Sequence, residues 1–99
     1  MADEITSVAV LDALPGKEEE LLTTLRNFYG LMQQKGYSRD ALHRDVSRGD
    51  RFVNLRRWRS PEMRAEAQAD PDVHYYWQKL PELCLVKVLY ESLEEVFET

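Results

Sequence analysis

The spacing of apolar and polar positions changes several times along this chain, and each change marks a structural element. From Glu4 to Leu14, partial alternation with the β-branched residues Ile5, Val8 and Val10 predicts a first strand, ended by Pro15-Gly16. From Lys17 to Lys35, Leu21, Leu25, Phe28 and Met32 fall on one helical stripe, flanked by Leu22 and Tyr29. Glu18, Glu19 and Glu20 occupy the first turn, where carboxylates meet the positive end of the helix dipole. Gly36 stands where a helix-ending glycine belongs. Tyr37 to Val46 predicts a second, more polar strand, and Ser47-Arg48-Gly49-Asp50 a turn into the third. That turn contains an Arg-Gly-Asp tripeptide, read here as a hairpin turn and not as an adhesion motif.

The third strand, in Arg51-Phe52-Val53-Asn54-Leu55-Arg56-Arg57-Trp58, carries polar residues where a plain core strand would be apolar. Alternation puts Phe52, Asn54, Arg56 and Trp58 on one side. An amide, a guanidinium and an indole in a row need partners or a ligand, because buried polar groups are otherwise costly. Ser60-Pro61-Glu62 then gives a helix start, with Ser60 as N-cap and Pro61 at the first helical position. Met63, Ala65, Ala67 and Ala69 alternate like a strand, but the cap and the Ala, Glu and Gln content predict a helix. Asp70-Pro71-Asp72 repeats the start signal and opens a helix bearing Val73, Trp77 and Leu80. Leu83 to Tyr90 predicts a fourth strand; a helix persisting to Tyr90, with the strand at Leu93 to Phe97, is the alternative.

The order is β-α-β-β-α-α-β. It predicts an α+β, ferredoxin-like split βαβ fold: a four-stranded antiparallel sheet with helices on one face, in one domain over residues 1–99. Val53 and Leu55 cannot face the same way as Phe52 and Trp58, so the second face is also apolar. A second subunit is its natural cover, and a homodimer through the open face of the sheet is expected.

Composition narrows the function classes. A net charge of −5 argues against nucleic acid as a partner. The chain has no long apolar run and no signal peptide, so no membrane partner and a cytoplasmic location are expected. The single cysteine, Cys84, is read as a small buried hydrophobe, and His43 and His74 have no metal-site spacing. Glu91, Glu94, Glu95 and Glu98 read as a solvated face.

Several segments together resemble the antibiotic biosynthesis monooxygenase family, whose members are dimeric α/β barrels. They are Pro15-Gly16-Lys17-Glu18, Leu42-His43-Arg44-Asp45, Arg51-Phe52-Val53, Trp58-Arg59-Ser60-Pro61-Glu62, Pro71 and Tyr75-Tyr76-Trp77. The resemblance runs over about residues 5 to 90. Family members that oxidise polyketide anthrones to quinones work without metal or flavin. They are thought to use an Asn and a Trp four residues apart on the third strand, a spacing kept by Asn54 and Trp58. The resemblance therefore implies no cofactor, a small-molecule substrate, Asn54 as a hydrogen-bond donor to a developing oxyanion, and Trp58 as a stacking surface.

The chain also departs from that pattern. Arg64 stands where such enzymes have a tyrosine, Lys79 is near the place of a later arginine, and Arg56 replaces an acid two residues before the Trp. The acid-to-base change points to an anionic or enolate-like ligand. In the haem-degrading branch of the superfamily, the Trp position falls at Ala67 and the His position near Trp77, and the first strand holds no Asn, so haem degradation is not expected.

The resulting expectation is a cofactor-independent monooxygenase on a small aromatic or enolisable compound. Asn54 and Trp58 are its catalytic candidates; Arg56, His74, Tyr76 and Trp77 its substrate-binding candidates. A salt bridge from Arg56 to Asp12 or Glu91 is the competing structural role for that arginine. The alternative functions are a non-catalytic small-molecule-binding or stress-response dimer, and isomerase-like enolate chemistry.

Overall fold

Alternation along the third strand organises the molecule. In a computed structural model that describes residues 5–99, the chain forms β1 (Thr6–Ala13), α1 (Glu18–Gln34), β2 (Ser38–Arg44), β3 (Arg51–Trp58), α2 (Pro61–Gln68), α3 (Pro71–Lys79), a short 3-10 turn at Leu80–Glu82, and β4 (Cys84–Leu93). The strands lie in the order β2-β3-β1-β4, with antiparallel neighbours throughout. This is the ferredoxin-like arrangement expected from the element order. The expected start of the first strand at Glu4 lies outside the described residues. The fourth strand takes the earlier of its two possible positions. Residues 94–99 have no regular structure, and Val96 and Phe97, at 84% and 79% exposure, lack the packing a strand there would need.

The helix boundaries follow their caps. Gly36 has φ 77°, and behind it Tyr37 N–H reaches the Met32 carbonyl at 2.9 Å while Gly36 N–H reaches that of Gln33 at 3.0 Å. That pair of bonds is the Schellman motif, closed by contact between Met32 and Tyr37 in one apolar cluster. Ser60 Oγ accepts from Met63 N–H, and Asp70 from Asp72 N–H, each before a proline at the helix start. The Arg-Gly-Asp turn closes on itself: Arg48 Nε donates to Asp50 at 2.9 Å and its guanidinium pairs with Asp12 at 3.3 Å.

Helices and sheet meet in two adjoining clusters. One joins Leu11, Leu21, Leu25, Phe52, Leu83 and Cys84; the other joins Phe28, Met32, Tyr37, Trp58, Ala67 and Val73. The four stripe residues of α1 are therefore all core, and burial pushes the Cys84 thiol up from its ordinary value. On the opposite face, Val8 and Val10 pair with Leu55 and Val53 and are only half-buried. Leu85, Val88 and Tyr90 extend that apolar surface across β4 at 53%, 40% and 56% exposure. No helix among the described residues is long and apolar enough to cross a membrane.

Candidate active site

β3 lies between β2 and β1, so its helix-facing side chains are flanked on both edges. Phe52, Asn54, Arg56 and Trp58 are all buried, and the residues between them are less so. Their cross-strand partners share the same face: Ser7 lies opposite Arg56, Ala9 opposite Asn54, and on the other edge Asp40 lies opposite Arg56.

That register creates an ion pair the sequence did not reveal. Arg56 Nε donates to Asp40 Oδ1 at 2.6 Å, and the Asp40 side chain is fully sealed. The expected partners Asp12 and Glu91 are not used: Asp12 faces the other side of the sheet and is taken by Arg51 at 2.7 Å. The Arg51 hydrogen bond holds the Asp12 carboxyl below its ordinary value. Asp40 also accepts from Ser38 Oγ at 3.0 Å and from Asn54 Nδ2 at 3.3 Å.

Asn54 directs Nδ2 toward a second acceptor as well, the Ala41 carbonyl, at 3.3 Å. Both acceptors belong to β2, which assigns the amide orientation. Its carbonyl oxygen is thereby left out of these two bonds. The N–H groups of Asn54, the donors expected to serve a ligand, are directed here at these two β2 acceptors, each at the long distance of 3.3 Å.

Trp58 is fixed by its indole N–H, which donates to Ser7 Oγ at 2.9 Å; Ser7 in turn donates to the Glu91 carbonyl on β4 at 2.6 Å. The Arg56 guanidinium carbon lies 4.9 Å from the Phe28 ring centre, 5.3 Å from that of Trp58 and 5.8 Å from that of Tyr29. Three aromatic faces around a desolvated cation stabilise it where water cannot. Tyr29, half-buried beside this group, has its hydroxyl pKa raised mainly by desolvation.

Between sheet and helices lies a cavity of about 430 Å³ whose lining includes Asn54, Arg56, Trp58, Arg64 and Trp77. Its size is that of an ordinary small-ligand pocket. A larger groove of about 710 Å³ runs outside it, between α1 and β2, walled off by Leu25 and Tyr29, which line both. The groove lacks Asn54 and Trp58, and the cavity between sheet and helices is the candidate site.

Of the six residues singled out from sequence, Asn54, Arg56, Trp58 and Trp77 line this cavity, and His74 and Tyr76 do not. About 100° per residue turns consecutive α3 side chains apart. Tyr76 stacks on Phe28 with centroids 4.9 Å apart. His74 stacks on Trp77 at 5.5 Å, and its ring hydrogen-bonds the Gln68 carbonyl. The residues that sequence reasoning missed are Asp40 and Ser7. The alternating pattern of β2 carried a signal for Asp40, since a lone acid facing a lone buried arginine is legible once strand register is known.

A comparison with known protein families matches antibiotic biosynthesis monooxygenase over residues 4–76. A search of curated protein sequences finds no match. Among solved structures, a mutant of SnoaB, a cofactor-independent oxygenase from Streptomyces nogalater, superposes with a TM-score of 0.80 at 21% identity, covering 98% of this chain and 100% of that one. A possible oxidoreductase of unknown function from Bacteroides thetaiotaomicron gives 0.81 at 16% identity, covering 93% and 97%. A putative antibiotic biosynthesis monooxygenase from Chloroflexus aurantiacus gives 0.77 at 18%, covering 97% and 96%. At these identities the structural likeness establishes the fold.

Proposed function

This chain belongs to the antibiotic biosynthesis monooxygenase family, and we propose that it is a cofactor-independent monooxygenase acting on a small aromatic or enolisable compound. The observation that supports this most is the cavity that gathers Asn54, Arg56, Trp58 and Trp77 between sheet and helices. The oxygenase activity attributed to SnoaB belongs to that protein and comes to this chain as part of the proposal.

The chemistry is that of an activated methylene. Loss of a proton gives an enolate-like carbanion, which passes an electron to dioxygen. The resulting oxygen adduct collapses to a carbonyl and water. The methylene carbon loses two hydrogens and gains one oxygen atom, and the second oxygen atom leaves as water, so no other reductant is consumed. Arg56, held by its Nε bond to Asp40, offers its remaining N–H groups to the negative charge that develops on the substrate, acting as a fixed donor and not as a net charge. Trp58 offers its face to the ring, and Asn54 orients the substrate by accepting a hydrogen bond from a hydroxyl. We further propose a homodimer through the open face of the sheet, on the strength of its exposed Leu85, Val88 and Tyr90.

Oxygen uptake with a panel of anthrones and hydroquinones tests the activity, comparing wild type with Asn54→Ala and Trp58→Phe. Uptake that falls at least ten-fold in either variant is the expected result. Uptake unchanged in both sinks the site assignment. Turnover under nitrogen indicates enolate isomerisation instead, and ligand-raised melting temperature without any uptake indicates a binding protein.

A further inference from the structure

Two arginines, not one, approach the ring of Trp58. Arg56 lies 5.3 Å from its centre and Arg64, on α2, lies 5.9 Å from it; both line the cavity. Their electrostatic situations differ. Arg56 is neutralised by the sealed carboxylate of Asp40, so the pair contributes little net charge. Arg64 has no salt-bridge partner among the described residues: its one hydrogen bond runs from Nη1 to the neutral Ser92 Oγ at 2.6 Å. Its Nε is buried without a hydrogen-bond partner, an arrangement that leaves a charged donor both desolvated and unpaired.

The fork of a guanidinium has an Nε–Nη2 edge that matches the two oxygens of a carboxylate. With Nη1 engaged by Ser92, this is the edge of Arg64 that remains. We propose that Arg64 is a specificity residue of the cavity, and that the ligand is a flat aromatic compound bearing a carboxylate, its ring on Trp58 and its anion on the Nε–Nη2 edge of Arg64. This rests on the reading of the cavity as the ligand site and adds a permanent anionic group to it. That group is separate from the enolate formed during reaction, which belongs to Arg56.

Isothermal titration of wild type with 2-naphthoate and with 2-naphthamide, equal in shape and differing in charge, tests the proposal. Naphthoate is expected to bind at least about ten-fold more tightly, the scale of a charge-assisted hydrogen-bonded pair. In Arg64→Gln that preference is expected to vanish, with the naphthoate affinity falling far more than the naphthamide affinity, and in Arg64→Lys it is expected to survive in part. Equal affinities in wild type overturn the proposal while leaving the cavity reading intact; a preference that persists in Arg64→Gln overturns the role of Arg64. Failure of both compounds to bind wild type overturns the cavity reading and the proposal together. The wild-type comparison decides the matter even if a variant does not fold.

Discussion

Arg56 and Asp40 form a pair withdrawn from water: Nε and Oδ1 are 2.6 Å apart, and the two side chains are 9% and 0% exposed. Breaking such a pair from one side leaves an uncompensated charge, which typically costs about 3–5 kcal/mol. Asp40→Ala is therefore expected to lower the unfolding free energy by about that amount, with Asn54 and Ser38 losing an acceptor as well. Removing both charges is a different experiment. The double variant Asp40→Leu with Arg56→Met is expected to be more stable than Asp40→Ala, since apolar replacement of a buried pair is often neutral or favourable. Urea titration of the three proteins reads this order. A double variant no more stable than the single one disproves the buried-pair account.

A second acid is expected to govern behaviour at low pH. Asp70 caps α3 and accepts Lys35 Nζ at 2.7 Å and Tyr37 Oη at 2.6 Å, tying the end of α1 to the start of α3. The Lys35 hydrogen bond, aided by that of Tyr37, pulls its carboxyl from an ordinary 3.8 down to about 2. A carboxylate held low in the folded state stabilises it above the unfolded value and ceases to do so as pH falls through the folded one. The melting temperature should therefore drop between about pH 4 and pH 2. In Asp70→Asn, which keeps a good N-cap, that drop should be shallower but not absent, because Asp12 and Asp45 are also held low. Thermal melts across this range check it, and identical slopes would remove Asp70 from the account.

Most of the scaffold was legible in the sequence because its signals are local. The α1 stripe, Gly36, the Ser60-Pro61 and Asp70-Pro71 starts and the alternation of β3 each depend on neighbours a few residues away. The site was legible only by half. Asn54, Arg56 and Trp58 followed from period-two geometry within one strand. The partner of Arg56 did not, because Asp40 meets it across a strand pair and register is a property of the assembled sheet. The placement of His74 and Tyr76 escaped for a related reason: an aromatic run on a helix points in several directions, and only packing decides which member faces the cavity.

Two glycines, one inside α1 and one at its end, should answer the same substitution with opposite signs. Gly36 has φ 77°, and a Cβ there would approach Arg59 Nη1 at 3.2 Å, the yielding end of a long side chain. The backbone conformation, more than the contact, should make Gly36→Ala destabilising by about 1–2 kcal/mol. Gly30 lies inside α1, and an added methyl there would meet open space, with nothing within 4 Å. Gly30→Ala should therefore stabilise the helix, by about 0.5–1 kcal/mol. Chemical denaturation measures both, and a stabilised Gly36→Ala would refute the left-handed cap.

The open face of the sheet carries the last prediction. Val8 and Tyr90, and Val10 and Val88, are cross-strand partners there, so their side chains share the face away from the helices and the cavity. Leu85 and Tyr90 are more than half exposed on it, at 53% and 56%, an apolar surface that water covers at a cost and a second copy covers with a gain. Sedimentation should give twice the 11.6 kDa chain mass for wild type. Leu85→Glu with Tyr90→Glu, placing charge at the centre of that contact, should shift the protein toward the single-chain mass. The cavity lies across the sheet from both substitutions, so naphthoate binding to the altered protein separates a lost interface from a lost fold. A wild-type chain that sediments as one copy at high concentration excludes the homodimer.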